Sequence, residues 1–324
     1  MKKAVLILLG LSFVFPLFSR NQYYIYLSTV ASIFIIQAVG LNLVLGYCGL
    51  LSFAHTACFA IGGYASGLLA IHWGLPTLLT LFLGAGFTAL IGFGIGYLTL
   101  RLRGPYFVVV TFGFHQITYL VALNWISLTQ GPMALTGIPR LKLSIPFLLE
   151  GKNLSSIGYY YFGLILVVIL VFIIHRLINS QVGRALKAIR QHEFLSESVG
   201  ISRYKYFLLA FVISTFMSGV AGGFYAHFMG IMSPEAFALS EVIIVILMVV
   251  VGGQGTLAGP ILGGLIFTYL PEFLRVVKMY RMVIYGGILL LSVLFFREGV
   301  AYYLEKLIVR IKSKGLHKEE KVKI

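Results

Sequence analysis

An all-α bundle of membrane-spanning helices, with about ten spans and Gly-rich segments that are broken or re-entrant, is the fold this sequence predicts. Three observations carry that expectation. Of the 324 residues, 59% are hydrophobic and only 11% are charged, a balance that the wet surface of a globular domain does not tolerate. Apolar runs of roughly 20 residues, the length that crosses a hydrocarbon core about 30 Å thick, recur from end to end. The Lys and Arg residues behind the net charge of +15 fall in the short polar gaps between those runs, as membrane topology requires and nucleic-acid binding does not.

The candidate spans are 4–19, 23–45, 51–71, 77–100, 105–123, 157–178, 207–229, 241–257, 260–274 and 282–296, all within a single transmembrane domain over 1–324. The first run, after Met1-Lys2-Lys3, has the charged and apolar parts of a signal peptide. Phe15-Pro16-Leu17-Phe18-Ser19-Arg20 lacks the small residues of a cleavage site, which favours an uncleaved span over a leader. Gly-rich stretches at 46–63 and 252–264 are the places for irregular backbone, which at membrane depth needs protein or a cavity around it. Cys48 and Cys58, ten apart in an apolar segment, read as small packing residues.

Cytoplasmic loops are enriched in Lys and Arg. With the N-terminus inside, alternation leaves only Arg20, Arg140, Lys142, Lys152, Arg275, Lys278 and Arg281 outside, and places the other 18 of the 25 basic residues inside. Both termini then face the cytoplasm if the span count is even. Trp73, Trp125, Tyr23, Tyr24 and Tyr159 to Tyr161 fall at outer boundaries as an aromatic belt. The basic tail 298–324 reads as a lipid-facing anchor.

Two connections are long. The polar, Gly- and Pro-rich loop 124–156 lies outside, and 179–206 lies inside. In the latter, Ala185, Leu186, Ala188 and Ile189 recur at helical spacing beside Arg184, Lys187 and Arg190, the pattern of a short amphipathic helix that Gly200 would close. Basic residues there suit anionic lipid headgroups; Glu193 and Glu197 favour instead a protein partner, a separate ATPase into which the helix docks. The chain has no G-x-x-x-x-G-K-[ST] phosphate loop, so it carries no nucleotide cofactor of its own, and ATP would be used by another chain.

Polar side chains at membrane depth cost a few kcal/mol unless paired, and are functional candidates by default. Asn42, Ser52 and His55 cluster at the first Gly-rich break, where free backbone groups can meet a substrate's carboxylate or ammonium. Thr111, His115 and Gln116 form the next cluster. For all six the alternatives are lining a pathway and hydrogen bonding between helices. Glycines four apart, such as Gly219/Gly223 and Gly259/Gly263, suit close helix packing. Gly252, Gly253, Gly255 and Gly259, at the inner end of a span, suit a hinge equally well.

Taken together, Asn42 to His55 with Gly62-Gly63-Tyr64, Arg101-Leu102-Arg103-Gly104-Pro105-Tyr106-Phe107 with Val110-Thr111, Gly183-Arg184-Ala185 through Arg190 with Glu197 and Gly200, and Val251 to Pro260 resemble, in order, the signatures of LivM-type branched-chain amino-acid permeases. The resemblance covers most of 38–300. It implies a heteromeric ATP-binding-cassette importer with a second, homologous LivH-like permease subunit, two cytoplasmic ATPase subunits and an extracytoplasmic substrate-binding protein. It makes 179–206 the segment that couples to the ATPases. Ala54, His115-Gln116 and Met133-Ala134 depart from the family's usual residues, which leaves related permeases for urea, amides or other amino acids as the alternative substrate class. An intramembrane enzyme has little to work with: there is no H-E-x-x-H, no G-x-S-x-G and no Asp in the chain. A passive channel would have no use for the amphipathic inner helix.

Overall fold

Helices account for nearly all of the described chain, and glycine decides where they meet. The computed structural model describes residues 21–142 and 154–273, together with positions 283, 284, 286, 287, 299 and 306. Helix α1 (Gln22–Asn42) runs on into a π-helical turn, Leu43–Tyr47, and is followed by α2 (Ala54–Trp73), α3 (Thr77–Thr99) and α4 (Pro105–Asn124). A short α5 (Ile126–Thr129), a 3-10 turn (Gly131–Met133) and strand β1 (Leu135–Thr136) lead towards α6 (Ser156–Asn179). Then come α7 (Gln181–Gln191), α8 (Glu193–Ser198), the long α9 (Arg203–Met229), β2 (Ile231–Met232), a 3-10 turn (Pro234–Phe237), α10 (Leu239–Gly253) and α11 (Ala258–Phe273).

The helix starts have local causes. Side-chain oxygens of Asn21, Ser155 and Ser180 accept from the backbone N–H of Tyr23, Gly158 and Val182, capping α1, α6 and α7. Pro105 opens α4, where its missing N–H costs no hydrogen bond.

Among the described residues seven helical stretches are long and apolar enough to cross a membrane: Gln22–Tyr47, Ala54–Trp73, Thr77–Thr99, Pro105–Asn124, Ser156–Asn179, Arg203–Met229 and Pro234–Gly253. They match seven of the expected spans. Expected span 260–274 corresponds to α11, described over Ala258–Phe273. Expected spans 4–19 and 282–296 lie outside the described residues, save for four positions of the second. The irregular backbone is also narrower than the sequence suggests. Only 48–53 separates the π-turn from α2, which runs unbroken through Gly62 and Gly63, and only 254–257 separates α10 from α11.

The inner amphipathic segment is two helices rather than one. The chain turns at His192 (φ −145, ψ 92), and Gly200, with φ +85, closes the second of them, α8. There the Gly200 N–H donates to Glu197 O at 3.0 Å and the Ile201 N–H to Ser196 O at 3.0 Å.

Helix α9 is the centre of the packing, in contact with α1, α2 and α3. A Cβ at Gly62 would fall on the backbone of Gly219, and one at Gly222 on the Phe59 carbonyl, so α2 and α9 touch backbone to backbone. Helix α1 is buried nearly all round among α6, α9 and α11, as suits its uniformly apolar sequence. Helix α10 rests on α11, where Gly252, Gly259 and Gly263 bring the two backbones together. Helix α4 is peripheral, leaning on α2 and exposing Tyr106, Val109, Ile117 and Leu120. At one end of the bundle β1 pairs antiparallel with β2, Leu135 opposite Met232, which ties the 131–142 segment to the end of α9.

Adding one methyl group at Gly222 drives it into the Phe59 carbonyl, whereas Gly94 has open space around it. Gly222→Ala is therefore expected to cost about 1–3 kcal/mol, and Gly94→Ala to be neutral or to gain up to about 1 kcal/mol of helix propensity. Melting temperatures of the two detergent-solubilised variants check this; equal melting temperatures would contradict it.

Candidate functional site

Polar groups inside the bundle fall into three places, and they differ in whether their hydrogen bonds are already made. The first is the α2–α9 seam. His55 is buried, with Nε2 2.8 Å from Gln37 O of α1 and Nδ1 3.1 Å from Ser214 Oγ of α9. A carbonyl only accepts, so Nε2 carries the proton and Nδ1 is the acceptor. Ser214 Oγ has one proton, shared between His55 Nδ1 and Gly40 O at 2.8 Å, and Ser218 Oγ donates to His55 O at 2.6 Å. Both His55 nitrogens thus join helices α1, α2 and α9. At the far end of the same seam stands His227, a residue that the sequence reading did not single out. Its Nδ1 donates to Pro139 O at 2.8 Å, and Ser66 Oγ of α2 donates to its Nε2 at 2.8 Å. Tyr159 Oη donates to the His227 carbonyl at 3.2 Å and accepts from the Leu141 N–H at 2.7 Å, so one histidine and one tyrosine hold the 138–142 segment on the bundle.

The second place is the α2–α4 seam, where the opposite holds. The Phe53 N–H donates to Thr111 Oγ1 at 3.3 Å, fixing the start of α2 against α4. One turn further along α4, His115 is fully buried and neither ring nitrogen has a hydrogen-bond partner among the described residues. Ser52 Oγ beside Phe53 and Tyr64 Oη on α2 are likewise buried and unpartnered. Tyr64 and Tyr119, one turn beyond His115, both meet the ring of Phe237, at 6.2 and 5.8 Å between centroids. Gln116, turned about 100° from His115 on the helix, is half-buried and off this face. Of the six expected intramembrane residues, then, Ser52, Thr111 and His115 come together. Asn42 and His55 are elsewhere with their bonds made. Tyr64 joins the group; as one of 19 tyrosines, only its place on α2 distinguishes it.

The third place lies at the α7–α8 end. Asn42 sits at the end of α1, its Nδ2 donating to Thr256 O at 2.8 Å and its Oδ1 accepting from the Gly255 N–H at 2.9 Å. Gly253 and Gly255 have positive φ (+125 and +72), and Thr256 Oγ1 bridges Gly253 O and the Gly259 N–H. Arg190 of α7 donates to Gly46 O, and Lys187 Nζ lies 5.8 Å from the Tyr47 ring. Arg184 is exposed and bonds only back to Asn179 O, at 3.4 Å. The carboxylates expected to meet a partner are paired within the chain. Glu193 Oε1 sits 3.1 Å from Arg103 Nε and 3.2 Å from Arg203 Nε, and Glu197 Oε2 lies 3.4 Å from Arg103 Nη2. Arg203 is buried and also donates to Leu100 O at 3.0 Å. Helix α8 exposes Phe194 and Leu195, with Val199 just past its end, beside the exposed Glu197 and Ser198. Between α7–α8 and the 48–50 segment there is a cavity of about 660 Å³ lined in part by Cys48, Gly49, Leu50, Arg190, Glu193 and Arg203. Burial pushes the Cys48 thiol well above its usual range, with the nearby Arg190 charge opposing, so it stays a thiol. Among the described residues no group of His, Cys and acidic side chains has a metal-binding arrangement.

A many-span helical bundle with uncompensated polar groups between two of its helices, and a charged two-helix segment at one end, is the architecture of a membrane permease. The model of one family, the permease component of branched-chain amino acid transport systems, matches residues 23–293, and the chain belongs to that family. It is 34% identical over 292 residues to the high-affinity branched-chain amino acid transport permease LivM of Salmonella typhimurium, covering 85% of this chain and 69% of that protein. It is 27% identical to the permease BraD of Pseudomonas aeruginosa, over 84% of this chain and 92% of that one. It is also 25% identical to the permease LivH of Salmonella typhimurium, over 74% and 80%. No solved structure matches the chain.

Replacing His227 by Ala leaves the Pro139 carbonyl and the Ser66 hydroxyl without partners, which is expected to cost about 1–3 kcal/mol. The loss should show as faster backbone hydrogen exchange at 134–142, with the α7–α8 end unaffected. Unchanged exchange there would mean that the strand pairing, Tyr159 and Thr77 hold the segment without His227.

Proposed function

We propose that this chain is one of two homologous permease subunits of an ATP-binding-cassette importer, and that it forms part of the membrane path for branched-chain amino acids. Family membership and the likeness to LivM, BraD and LivH support the class and the substrate. Two cytoplasmic ATPase subunits and an extracytoplasmic binding protein complete the assembly in this reading. The chain crosses the inner membrane about ten times in this reading, with both termini in the cytoplasm. Energy comes from ATP used by the partner subunits.

The observation that carries the mechanism is that unpartnered polar groups gather at the α2–α4 seam; outside it the Gln37 amide of α1 is also buried and unpartnered among the described residues. Buried polar groups are nearly always satisfied in a finished helix interface, as at His55 and His227. At Ser52, Tyr64 and His115 they are not, which suits groups that meet a passing zwitterion, with Thr111 beside them. At the other end, α7–α8 is the docking element. Its underside is anchored by Leu186 and Ile189, its carboxylates are pinned by Arg103 and Arg203, and Phe194, Leu195 and Val199 are left for the ATPase, with Arg184 and Lys187 at the rim.

His115 gives a sharp test. Removing a buried imidazole that has no partner costs no hydrogen bond, so His115→Leu is expected to keep or raise the melting temperature. In proteoliposomes holding both permeases, the ATPases and the binding protein, it should nonetheless lower leucine uptake by about tenfold, equivalent to about 1.4 kcal/mol. Normal uptake would make His115 a packing residue. Leucine uptake that persists when this chain is omitted from the complex would end the permease reading altogether.

A further inference from the structure

The inner ends of α1 and of the α10–α11 pair are separate turns, 213 residues apart between Asn42 and Gly255, yet two side chains join them. Asn42 presents its amide to the turn 254–257 as a peptide group would, donating to Thr256 O at 2.8 Å and accepting from the Gly255 N–H at 2.9 Å. Arg190 reaches the same spot from α7. The π-turn that ends α1 has no basic residue in its last turn, where carbonyls run out of donors along the chain. The Arg190 guanidinium supplies the missing cationic cap by donating to Gly46 O, in the π-turn that extends α1.

Glycine makes room for this side chain on both turns. A Cβ at Gly49 would lie 3.3 Å from Arg190 Cγ, and one at Gly255 2.9 Å from Arg190 Nη1. Both glycines have positive φ, +76 and +72, so backbone shape and free space select the same residue. Beside Arg190 the cavity of about 660 Å³ keeps α7–α8 from filling the space against 48–50. On that side Arg190 adds a directed polar contact to the packing of Leu186 and Ile189 near the π-turn.

We propose that Arg190 and Asn42 form a latch that ties α7 to both Gly-rich turns, so that a displacement of α7 moves the inner ends of α1 and of α10–α11 together. Both are positioning residues, and the latch rests on the reading of α7–α8 as the ATPase-docking element. In this arrangement the bending takes place at Gly253 and Gly255, and Arg190 decides when. A push on α8 that withdraws the guanidinium frees Gly46 O and opens the space beside Gly255 in the same step.

Two measurements on the full chain test it. In the purified protein in lipid nanodiscs, Arg190→Ala is expected to speed hydrogen exchange by about tenfold in both 46–50 and 254–257, as loss of a charged hydrogen bond would. Asn42→Ala should speed 254–257. Faster exchange confined to 46–50 in Arg190→Ala overturns the latch without touching the permease reading. In the reconstituted importer, Arg190→Ala and Asn42→Ala should each lower the leucine taken up per ATP hydrolysed by about tenfold, with the ATPases still co-purifying, and Arg190→Lys should restore part of it. Because both act through one connection, the double variant should be no worse than either single one. Multiplied losses, an unchanged ratio, or ATPases that no longer co-purify with Arg190→Ala would each refute the latch, the last by making Arg190 a docking residue. Failure of the unaltered chain to bind ATPases at all would refute the permease reading instead.

Discussion

Because Gly62, Gly219 and Gly222 have no side chains, the backbones of α2 and α9 come into direct contact, and most of the chain's polar chemistry is placed by that approach. Apolar attraction between helices is weak in a lipid environment, so close packing and hydrogen bonds must hold them together. The α2–α9 contact supplies both. It sets Ser214 and Ser218 beside His55 near one end, and Ser66 beside His227 towards the other. With α3 laid over the seam through Gly84, Gly92 and Gly96, three helices form a rigid centre. Helix α4 is held more loosely outside it.

Rigidity at the centre gives the two ends different characters. At the β1–β2 end, neutral groups do the fastening: His227, Tyr159 and a two-residue strand pair. At the α7–α8 end the fastening is charged, and Glu193 between Arg103 and Arg203 joins α8 to the α3–α4 connection and the start of α9. Arg203 is deeply buried, which is tolerable because its guanidinium also meets the Leu100 and Leu102 carbonyls. An end held by a few directed charged contacts around a cavity can shift as a unit, whereas the close-packed centre cannot.

How far the sequence was legible varied with the kind of force. Seven spans were readable because apolar length is a property of a segment by itself. The α7 stripe was readable for the same reason, but its division at His192 was not, since nothing in Arg190-Gln191-His192-Glu193 forbids a continuous helix. His55 and His115 looked alike in sequence, each one histidine in an apolar span. They part only in the fold, where α9 brings Ser214 to His55 and no described helix brings a partner to His115. Glu193 and Glu197 suggested an outside partner because their mates, Arg103 and Arg203, come from other segments of the chain.

Composition and the order of motifs, read from the sequence by itself, determined that the chain is a multi-span helical membrane protein of the branched-chain amino-acid permease type, with a basic amphipathic segment between two spans. The tertiary structure alone decided which polar side chains are used up in holding helices together and which are left open, and that Arg190 and Asn42 meet across the two Gly-rich turns. The physical reason is that burial of apolar length is decided locally, whereas the satisfaction of a buried polar group depends on which distant segment is folded against it.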